Sequence, residues 1–297
     1  MQRREFLIKS AVTTAGMALV QGAWAKAAHE RRFDHLSGQK GAGPVLRLKG
    51  LAIGEGAPTI IASITGRDLD TIRRQTQALA ASEAVDIAEL RLDYLPDTLS
   101  LQDTVAWVDQ VVSDLHGKPL LATFRSAQEG GERALPDDAY ARLCRALLEQ
   151  TRIDLLDIEM MKPQASVQAL VAKAHQQGVA VILSNHDFQA TPSREVIVER
   201  LLRQQALGAD ILKIAVMPKA PEDVLTLMAA SQEVYRRADR PLLTMSMGPL
   251  GVTSRLSGQL TGAALTYASV GQASAPGQLE ASAVREVLDI VQRGAQD

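Results

Sequence analysis

Short apolar runs alternate with longer amphipathic segments along most of the chain. Eight apolar runs of four to six residues have the length of buried strands, at 59–64, 87–92, 119–124, 155–158, 180–184, 211–216, 241–245 and, more weakly, 265–270. Between them, seven segments repeat apolar residues every three or four positions, as helices do, at 68–81, 100–115, 137–150, 166–177, 191–208, 221–237 and 281–292. An eighth segment, after Met247, has a less clear pattern.

This alternation predicts an α/β fold, a single (β/α)8 TIM barrel over residues 45–297. A doubly wound open sheet is the rival, but such a sheet usually has a glycine-rich phosphate turn after its first strand. Gly66-Arg67-Asp68 does not form that turn. Residues 45–53 are predicted to form a short β-hairpin that closes the bottom of the barrel, and the helix over 191–208 is expected to open at Thr191-Pro192.

Residues 1–28 have the pattern of a twin-arginine signal peptide. Arg3 and Arg4 precede a weakly apolar stretch at 10–20, and Ala23-Trp24-Ala25 has the form of a cleavage site. A membrane anchor and an amphipathic first helix are the alternatives, but the stretch is shorter than the roughly 20 residues that span a bilayer. The pattern predicts a periplasmic protein with no stable membrane span after cleavage.

Composition excludes several classes of partner and site. The net charge of −2 gives no basic surface to hold a nucleic acid. The single cysteine, Cys144, excludes an internal disulfide and a multi-cysteine metal site. The five histidines lack the HxxxH and HxH spacings of zinc ligands, so no metal site is predicted.

Charged residues occupy positions of one parity near the carboxyl ends of the predicted strands. Glu89, Arg91 and Asp93 alternate with apolar residues in the second strand. In a barrel, helices cover the outward positions, so these charges must face the axis, where they are costly unless paired or used. Later strands end similarly, with Arg125 and Glu129 after the third, Asp157 and Glu159 in the fourth, and His186 in the fifth. Because barrel enzymes keep their sites at this face, the rim is predicted to be an active site.

Lys213 is the only one of the nine lysines flanked on both sides by an apolar strand run. It could be a structural ion-pair partner of Glu89 or Glu159. Asp157 and Glu159 are expected to be structural partners of Lys213, Arg91 or His186 rather than catalysts. It could instead be a nucleophile, because a desolvated lysine beside other cations loses its proton more readily. A neutral amine converts a ketone to an iminium, which acidifies the neighbouring C–H, and His186 could move that proton. The residues alone predict a Schiff-base enzyme for a small anionic keto compound.

Five motifs resemble, in order and spacing, those of type I 3-dehydroquinate dehydratases. They are Glu89-Leu90-Arg91-x-Asp93, Thr123-Phe124-Arg125-x-x-x-Glu129-Gly130-Gly131, Ser184-Asn185-His186-Asp187-Phe188, Lys213-Ile214-Ala215 and Ala273-Ser274-Ala275-Pro276-Gly277-Gln278. The likeness runs from about residue 45 to 292. It implies a (β/α)8 barrel that is homodimeric, needs no cofactor, and converts its substrate 3-dehydroquinate to 3-dehydroshikimate.

The resemblance also implies roles by motif position. Lys213 forms the imine, His186 acts as general acid and base, and Glu129 orients and polarises that histidine. Six further residues are implied to hold the substrate: the ring hydroxyls by Glu89 and Arg91 with Arg125 nearby, and the carboxylate by Arg255 with Ser274 and Gln278.

Two features depart from the pattern of the family. An export signal is foreign to its common cytoplasmic, biosynthetic members and favours a catabolic role, in which quinate oxidised outside the cytoplasm supplies 3-dehydroquinate. The segment 247–251 lacks the charged residue expected in that loop.

Two other classes of protein remain as alternatives. A class I aldolase would also use a barrel lysine and an iminium, but the pair of His186 and Glu129 and the carboxylate set around Arg255 suit a carboxylated ring rather than a sugar phosphate. A non-catalytic exported solute-binding protein is normally two-lobed and has no need of a buried lysine.

Overall fold

The computed structural model describes residues 44–271 and 273–294. The predicted signal peptide over residues 1–28, with its twin arginines, lies outside the described residues. Within the part of the chain that is described, no helix is both long enough and apolar enough to cross a membrane.

Eight parallel strands form one sheet in chain order. They are β3 (Thr59–Ile64), β4 (Ile87–Arg91), β5 (Leu120–Thr123), β6 (Leu155–Glu159), β7 (Ala180–Asp187), β8 (Ile211–Val216), β9 (Leu242–Ser246) and β10 (Leu265–Ala268). The last strand, β10, pairs with the first, β3. The chain just before β10 bonds to β9 through Ala264 N and Leu242 O at 2.8 Å, which brings the two ends of the sheet together. The predicted (β/α)8 barrel is confirmed.

The helices between the strands form the outer layer. They are α1 (Leu69–Ala81), α2 (Leu101–Asp114), α3 (Asp137–Gln150), α4 (Gln164–Gln177), α5 (Arg194–Ala206), α6 (Pro221–Tyr235), α7 (Val252–Leu256), α8 (Gly258–Thr261) and α9 (Ala281–Gly294). The unclear segment after Met247 contains a 3₁₀ turn, Pro249–Gly251, and the two short helices α7 and α8. All seven predicted helices are present.

One predicted boundary was wrong. Helix α5 begins at Arg194 after Ser193, not at Thr191-Pro192. The Thr191 hydroxyl donates instead to the carbonyl of Met217 at 3.1 Å. This contact with the residue after β8 holds Thr191 in the loop. The helix therefore begins later than the capping pattern of Thr191-Pro192 predicts.

The amino-terminal hairpin closes one end of the barrel. It consists of β1 (Leu46–Leu48) and β2 (Leu51–Ile53), paired antiparallel. Its buried side chains pack with inward-facing residues from the amino ends of the strands in one apolar cluster: Leu46, Leu48, Ile53, Ile61, Ile87, Leu121, Leu155 and Ile211. Lys49, at the hairpin turn, forms an ion pair with the buried Asp154 at 2.9 Å. The opposite end, where the strands finish, is left for polar groups.

Candidate active site

A single pocket opens at the carboxyl ends of the strands. It is lined by all nine residues for which the sequence predicted a catalytic or binding role, namely Glu89, Arg91, Arg125, Glu129, His186, Lys213, Arg255, Ser274 and Gln278. Strand parity and the barrel closure bring these residues together from three strands, β4, β7 and β8, and from the segments that follow β5, β9 and β10.

Lys213 lies in the middle of β8 and points into the pocket with 3% of its surface exposed. Its Nζ forms an ion pair with Asp157 Oδ2 at 2.8 Å and donates to the hydroxyl of Tyr267 at 3.2 Å. Asp157 was expected as a structural partner of Lys213, Arg91 or His186, and it is the carboxylate that pairs with the lysine. The alternative partners, Glu89 and Glu159, form no ion pair with Lys213 in the described structure. Two acceptors therefore fix the direction of the amine.

The main chain of Lys213 is held as firmly as its side chain. Gln204, a fully buried residue of α5, accepts from Lys213 N at 2.8 Å and donates to Lys213 O at 2.8 Å. A side-chain amide thus makes both hydrogen bonds that a strand residue offers on one edge. Helix α5 is tied directly to the position of the nucleophile.

Buried carboxylates surround the guanidinium of Arg125. Its Nη2 is 2.7 Å from Asp157 Oδ2, while Nη1 is 3.1 Å from Glu159 Oε1 and 3.4 Å from Glu129 Oε2. Burial opposes ionisation of Asp157, but the charges of Arg125 and Lys213 lower the pKa of this carboxyl to about 2. Asp157 is therefore ionised throughout the physiological range and serves as a fixed anion beneath the lysine.

His186, near the end of β7, forms a hydrogen bond with Glu129 through Nδ1 and Oε2 at 2.8 Å. Burial, and then the positive charges of Arg125, Lys213 and Arg91, lower the pKa of His186 well below its usual value. The imidazole is consequently neutral at neutral pH and can accept a proton. Its Nδ1 is engaged by Glu129, which leaves Nε2 for a ligand.

Glu129 reaches His186 because of a tight turn after β5. Gly130 has φ 81°, and a Cβ atom there would lie 2.2 Å from the ring of Phe188. At Gly131 a Cβ atom would lie 1.9 Å from the carbonyl oxygen of Arg125. The two glycines therefore permit a tight turn, and this turn places Glu129 next to the imidazole of His186. Burial raises the pKa of Glu129 to about 7.

Hydroxyl groups surround the carboxylate of Glu89. Its Oε1 accepts from Thr123 and Tyr267, each at 2.8 Å, and its Oε2 accepts from Ser63. Arg91, two residues further along the same strand, donates two hydrogen bonds to Asp93, at 2.8 and 2.7 Å. The charge of Arg91 is thus neutralised by its ion pair with Asp93, whereas the carboxylate of Glu89 accepts hydrogen bonds from hydroxyl groups.

Arg255 presents a buried guanidinium that lacks an anion. Its Nη1 contacts Met245 Sδ at 3.5 Å, its Nη2 donates to Pro276 O at 3.2 Å, and its Nε has no hydrogen-bond partner. Among the described residues no carboxylate pairs with it. Burial lowers the pKa of Arg255 to about 10, so the group is still charged at neutral pH. A buried unpaired cation that lines a pocket calls for an anionic ligand.

Ser274 and Gln278 lie beside Arg255 on the loop after β10. The Gln278 amide nitrogen donates to Ser274 Oγ at 3.0 Å, and Ser274 Oγ donates to Ser63 Oγ at 3.0 Å. Gly277 has φ 79°, and a Cβ atom there would lie 2.3 Å from the carbonyl oxygen of Gly248. The loop therefore packs directly against the segment after β9, which explains how an uncharged 247–251 segment takes part in the pocket wall.

Tyr267 is the main site residue that the sequence reasoning missed. It lies in β10, the weakest of the strand patterns, and its hydroxyl contacts both Lys213 and Glu89. An inward tyrosine near the carboxyl end of a barrel strand was the signal that could have identified it. Met245 and Met247 line the pocket on the same side and were also unassigned.

Comparisons with known proteins agree with this geometry. A family model described as type I 3-dehydroquinase matches residues 60–295. The 3-dehydroquinate dehydratase of Listeria monocytogenes serotype 4a (strain HCC23) is 42% identical over 246 residues, which cover 83% of this chain and 97% of that protein. That of Salmonella agona (strain SL483) is 46% identical over 246 residues, with 82% and 97% covered.

Solved structures give the same result. The type I 3-dehydroquinate dehydratase of Clostridium difficile, with covalently modified comenic acid, superposes with a TM-score of 0.81 at 39% identity, covering 84% of this chain and 98% of that one. The 3-dehydroquinate dehydratase of Enterococcus faecalis gives 0.77 at 40% identity, with 82% and 97% covered. The chain belongs to the type I 3-dehydroquinate dehydratases, a family of hydro-lyases, rather than to the class I aldolases or the solute-binding proteins.

Proposed function

We propose that this dehydratase converts 3-dehydroquinate to 3-dehydroshikimate and water through an imine on Lys213. The observation that carries the proposal is the placement of Lys213 Nζ in a buried pocket, fixed by Asp157 and Tyr267 and facing a cavity that also contains His186 and Arg255. A neutral amine in this position attacks the substrate ketone, and the resulting iminium withdraws electrons from the adjacent C–H bond.

His186 is proposed as the group that moves the proton. As a neutral imidazole it takes the proton from the carbon next to the iminium, and it returns a proton to the hydroxyl that leaves as water. Glu129 fixes the imidazole through Nδ1 and stabilises the positive charge that forms on it. Hydrolysis of the product imine then restores the lysine.

The remaining pocket residues are proposed to hold the substrate. The unpaired guanidinium of Arg255 suits the carboxylate, with Ser274 and Gln278 as neighbouring hydrogen-bond donors. Glu89 and Arg91 suit ring hydroxyls. Arg125 lines the pocket but is engaged by three carboxylates, so we assign it to holding Asp157 and Glu159 under the substrate.

Borohydride reduction tests the imine directly. In the presence of 3-dehydroquinate, reduction should fix a ligand-sized mass on the peptide that contains Lys213, detected by intact mass and peptide mapping. Lys213→Ala should lose both the adduct and turnover. Lys219→Ala, which changes an exposed lysine six residues along the chain, is the matched control and should retain both. A fully active Lys213→Ala variant would end the imine proposal.

The relative from Clostridium difficile supports covalent chemistry in this family, since its structure contains covalently modified comenic acid. Comenic acid is therefore a second probe for the same peptide. Modification that depends on Lys213 is the expected result.

We further propose that the protein acts in the periplasm after export by the twin-arginine route, in quinate catabolism, where oxidised quinate supplies 3-dehydroquinate. Support for this comes from the sequence of residues 1–28. Changing Arg3 and Arg4 to lysine should retain the protein in the cytoplasmic fraction, as measured by immunoblotting of cell fractions. Equal amounts of both forms in the periplasm would contradict the route.

A homodimer is also proposed, from the resemblance to the family. Sedimentation velocity of the purified protein should give one species near twice the chain mass of 31.9 kDa. A monomer at micromolar concentration would contradict it.

A further inference from the structure

The hydroxyl of Tyr267 connects the nucleophile to a second buried carboxylate. Lys213 Nζ donates to Tyr267 Oη at 3.2 Å, and Tyr267 Oη donates to Glu89 Oε1 at 2.8 Å. The three residues have 3%, 5% and 2% of their surface exposed. Donors and acceptors thus run in one direction, from the nitrogen through the hydroxyl to the carboxylate.

Lys213 has to lose a proton before it can attack a ketone, and its direct ion-pair partner is a poor acceptor. Asp157 shares its Oδ2 between Lys213 and Arg125, at 2.8 and 2.7 Å. These two cations hold the pKa of Asp157 at about 2 against the opposing effect of burial. A proton moved from Lys213 to Asp157 would remove the negative charge from the ion pair of Asp157 with Arg125.

Glu89 is better placed to receive the proton. In the described structure its oxygens accept from three hydroxyls and form no ion pair. An ionised carboxylate that is buried without a contacting cation is costly, and so is a buried ammonium. Transfer of one proton from Lys213 to Glu89 removes both charges at once, and it leaves the pair of Asp157 and Arg125 intact.

We propose that Tyr267 is a catalytic residue that relays this proton from Lys213 to Glu89, an inference that rests on the proposed imine chemistry. One N–H bond of the ammonium breaks as an O–H bond forms on Tyr267. The O–H bond that Tyr267 already had breaks as one forms on Glu89 Oε1. The result is a neutral amine, a neutral carboxylic acid and an unchanged phenol. The same path returns the proton when the product imine is hydrolysed.

The relay needs a hydroxyl that remains protonated between transfers. Burial raises the pKa of Tyr267 well above its usual value, so the phenolate does not accumulate. Thr123 donates to the same Glu89 oxygen at 2.8 Å but has no contact with Lys213. The Thr123 hydroxyl therefore only holds Glu89 in place, whereas the Tyr267 hydroxyl can also transfer a proton to it.

Tyr267→Phe tests the relay because it keeps the ring and removes the hydroxyl. The measurement is the rate of adduct formation in a single turnover with saturating 3-dehydroquinate, quenched by borohydride from pH 6 to pH 9. Near pH 6.5 the rate should fall by about ten- to hundredfold. The difference from the wild type should shrink as pH rises, because hydroxide then removes the proton directly. Thr123→Val, the matched control, should keep the wild-type dependence on pH.

Glu89→Gln provides the second variant, because glutamine accepts a hydrogen bond from Tyr267 but cannot hold the proton. Its rate of adduct formation should show the same dependence on pH as that of Tyr267→Phe. The double variant should form the adduct no more slowly than the slower of the two single variants, because both residues act on one path. Thermal unfolding verifies that each variant is folded.

Three outcomes separate the possibilities. Wild-type rates for Tyr267→Phe at every pH would overturn the relay while leaving the imine intact. A reduction by one constant factor at all pH values would also overturn it, because the hydroxyl would then only hold the nitrogen in place. Failure of the wild-type protein itself to form an adduct on Lys213 would instead refute the proposed function.

Discussion

The two ends of the barrel treat buried charge in opposite ways. At the closed end, Asp154 is 2% exposed and has both a cation, Lys49, and a backbone donor, the amide of Leu120. At the open end, Arg255 is equally buried at 2% and has no anion, and the Glu129 Oε1 atom has no hydrogen-bond partner. The buried charge at the closed end is satisfied within the protein, whereas at the open end Arg255 and Glu129 Oε1, unlike Arg125 and Asp157, lack internal partners.

The comparison implies that changes at the open end should alter the reaction, and should alter stability where they replace a charge that the fold leaves unsatisfied, whereas changes at the closed end should alter stability alone. Substitutions at four positions test this, beginning with the strongest effect.

His186→Ala should slow elimination by about 10²- to 10⁴-fold while still permitting the imine. The reason is that, in the proposed mechanism, the imidazole moves protons on the substrate, whereas the nitrogen of Lys213 makes the covalent bond. Rapid quench with borohydride separates the two steps. His116→Asn, at an exposed histidine far from the pocket, is the control and should behave as the wild type. Loss of the adduct together with turnover would contradict this division of roles.

Arg255→Ala should cost about 2–4 kcal/mol in kcat/KM, because a desolvated carboxylate would lose its partner. Arg255→Lys should raise KM substantially, since an ammonium lacks the two parallel donors of a guanidinium. Steady-state kinetics measure both, and the adduct on Lys213 should still form at high substrate concentration. A variant with wild-type KM and reduced thermal stability would show that Arg255 only holds its loop in place.

Glu129→Gln should change stability in a manner that depends on pH. Burial raises the pKa of Glu129 from its ordinary 4.5 to about 7, so the folded protein retains a proton that the unfolded chain releases between these values. The stabilising contribution is complete below pH 4.5 and is lost as pH rises through 7. Glutamine cannot ionise, so the variant should gain up to about 3 kcal/mol relative to the wild type between pH 4.5 and pH 8. Urea unfolding measures the difference.

The same variant should shift the pH–rate profile. Removal of the negative partner disfavours the imidazolium, so the apparent pKa of His186 should fall further below its usual value. An unchanged profile would remove Glu129 from the role of supporting the histidine.

Lys49→Met should have the smallest effect and act at the other end of the barrel. Asp154 would keep its bond from the amide of Leu120 but lose its cation, at a cost of about 1 kcal/mol in the free energy of unfolding, because the lysine is partly exposed. Activity of the folded protein should equal that of the wild type. A clear reduction in kcat would show that the two ends are coupled.

Most of the fold could be predicted because each layer of the barrel has its own sequence pattern. Strands buried on both faces give continuous apolar runs, and the helices that cover them give a period of about 3.6 residues. The site residues could be found because a charge inside such a run has no other explanation. Lys213 was identified from the apolar run on both sides of it, and Glu89 from its parity in the second strand.

Which of the candidate carboxylates pairs with Lys213 could not be predicted, because the choice depends on the stagger between strands. Strand pairing puts Glu159 level with Ser184, and Ser184 level with Lys213. The register would therefore suggest Glu159 as the partner of the lysine, yet the lysine bonds to Asp157, two residues earlier. Glu159 lies closer to the mouth, where it accepts from Arg125 and Ser126. Tilt of the strands around the barrel axis decides between two carboxylates of the same parity.

Gln204 has a consequence for how this barrel can be redesigned. Its amide forms two hydrogen bonds with the main chain of Lys213 from the outer helix α5, and only the loop at 207–210 separates that helix from β8. A residue inserted in this loop would shift Gln204 relative to Lys213, because each helical residue advances about 1.5 Å. The two hydrogen bonds would then move to another strand residue or be lost. Grafts and loop extensions should therefore avoid this connection and use the exposed turn after α2 at 116–117 instead. The tolerance of the scaffold to insertion is thus uneven, and the least tolerant connection lies on the face opposite the substrate.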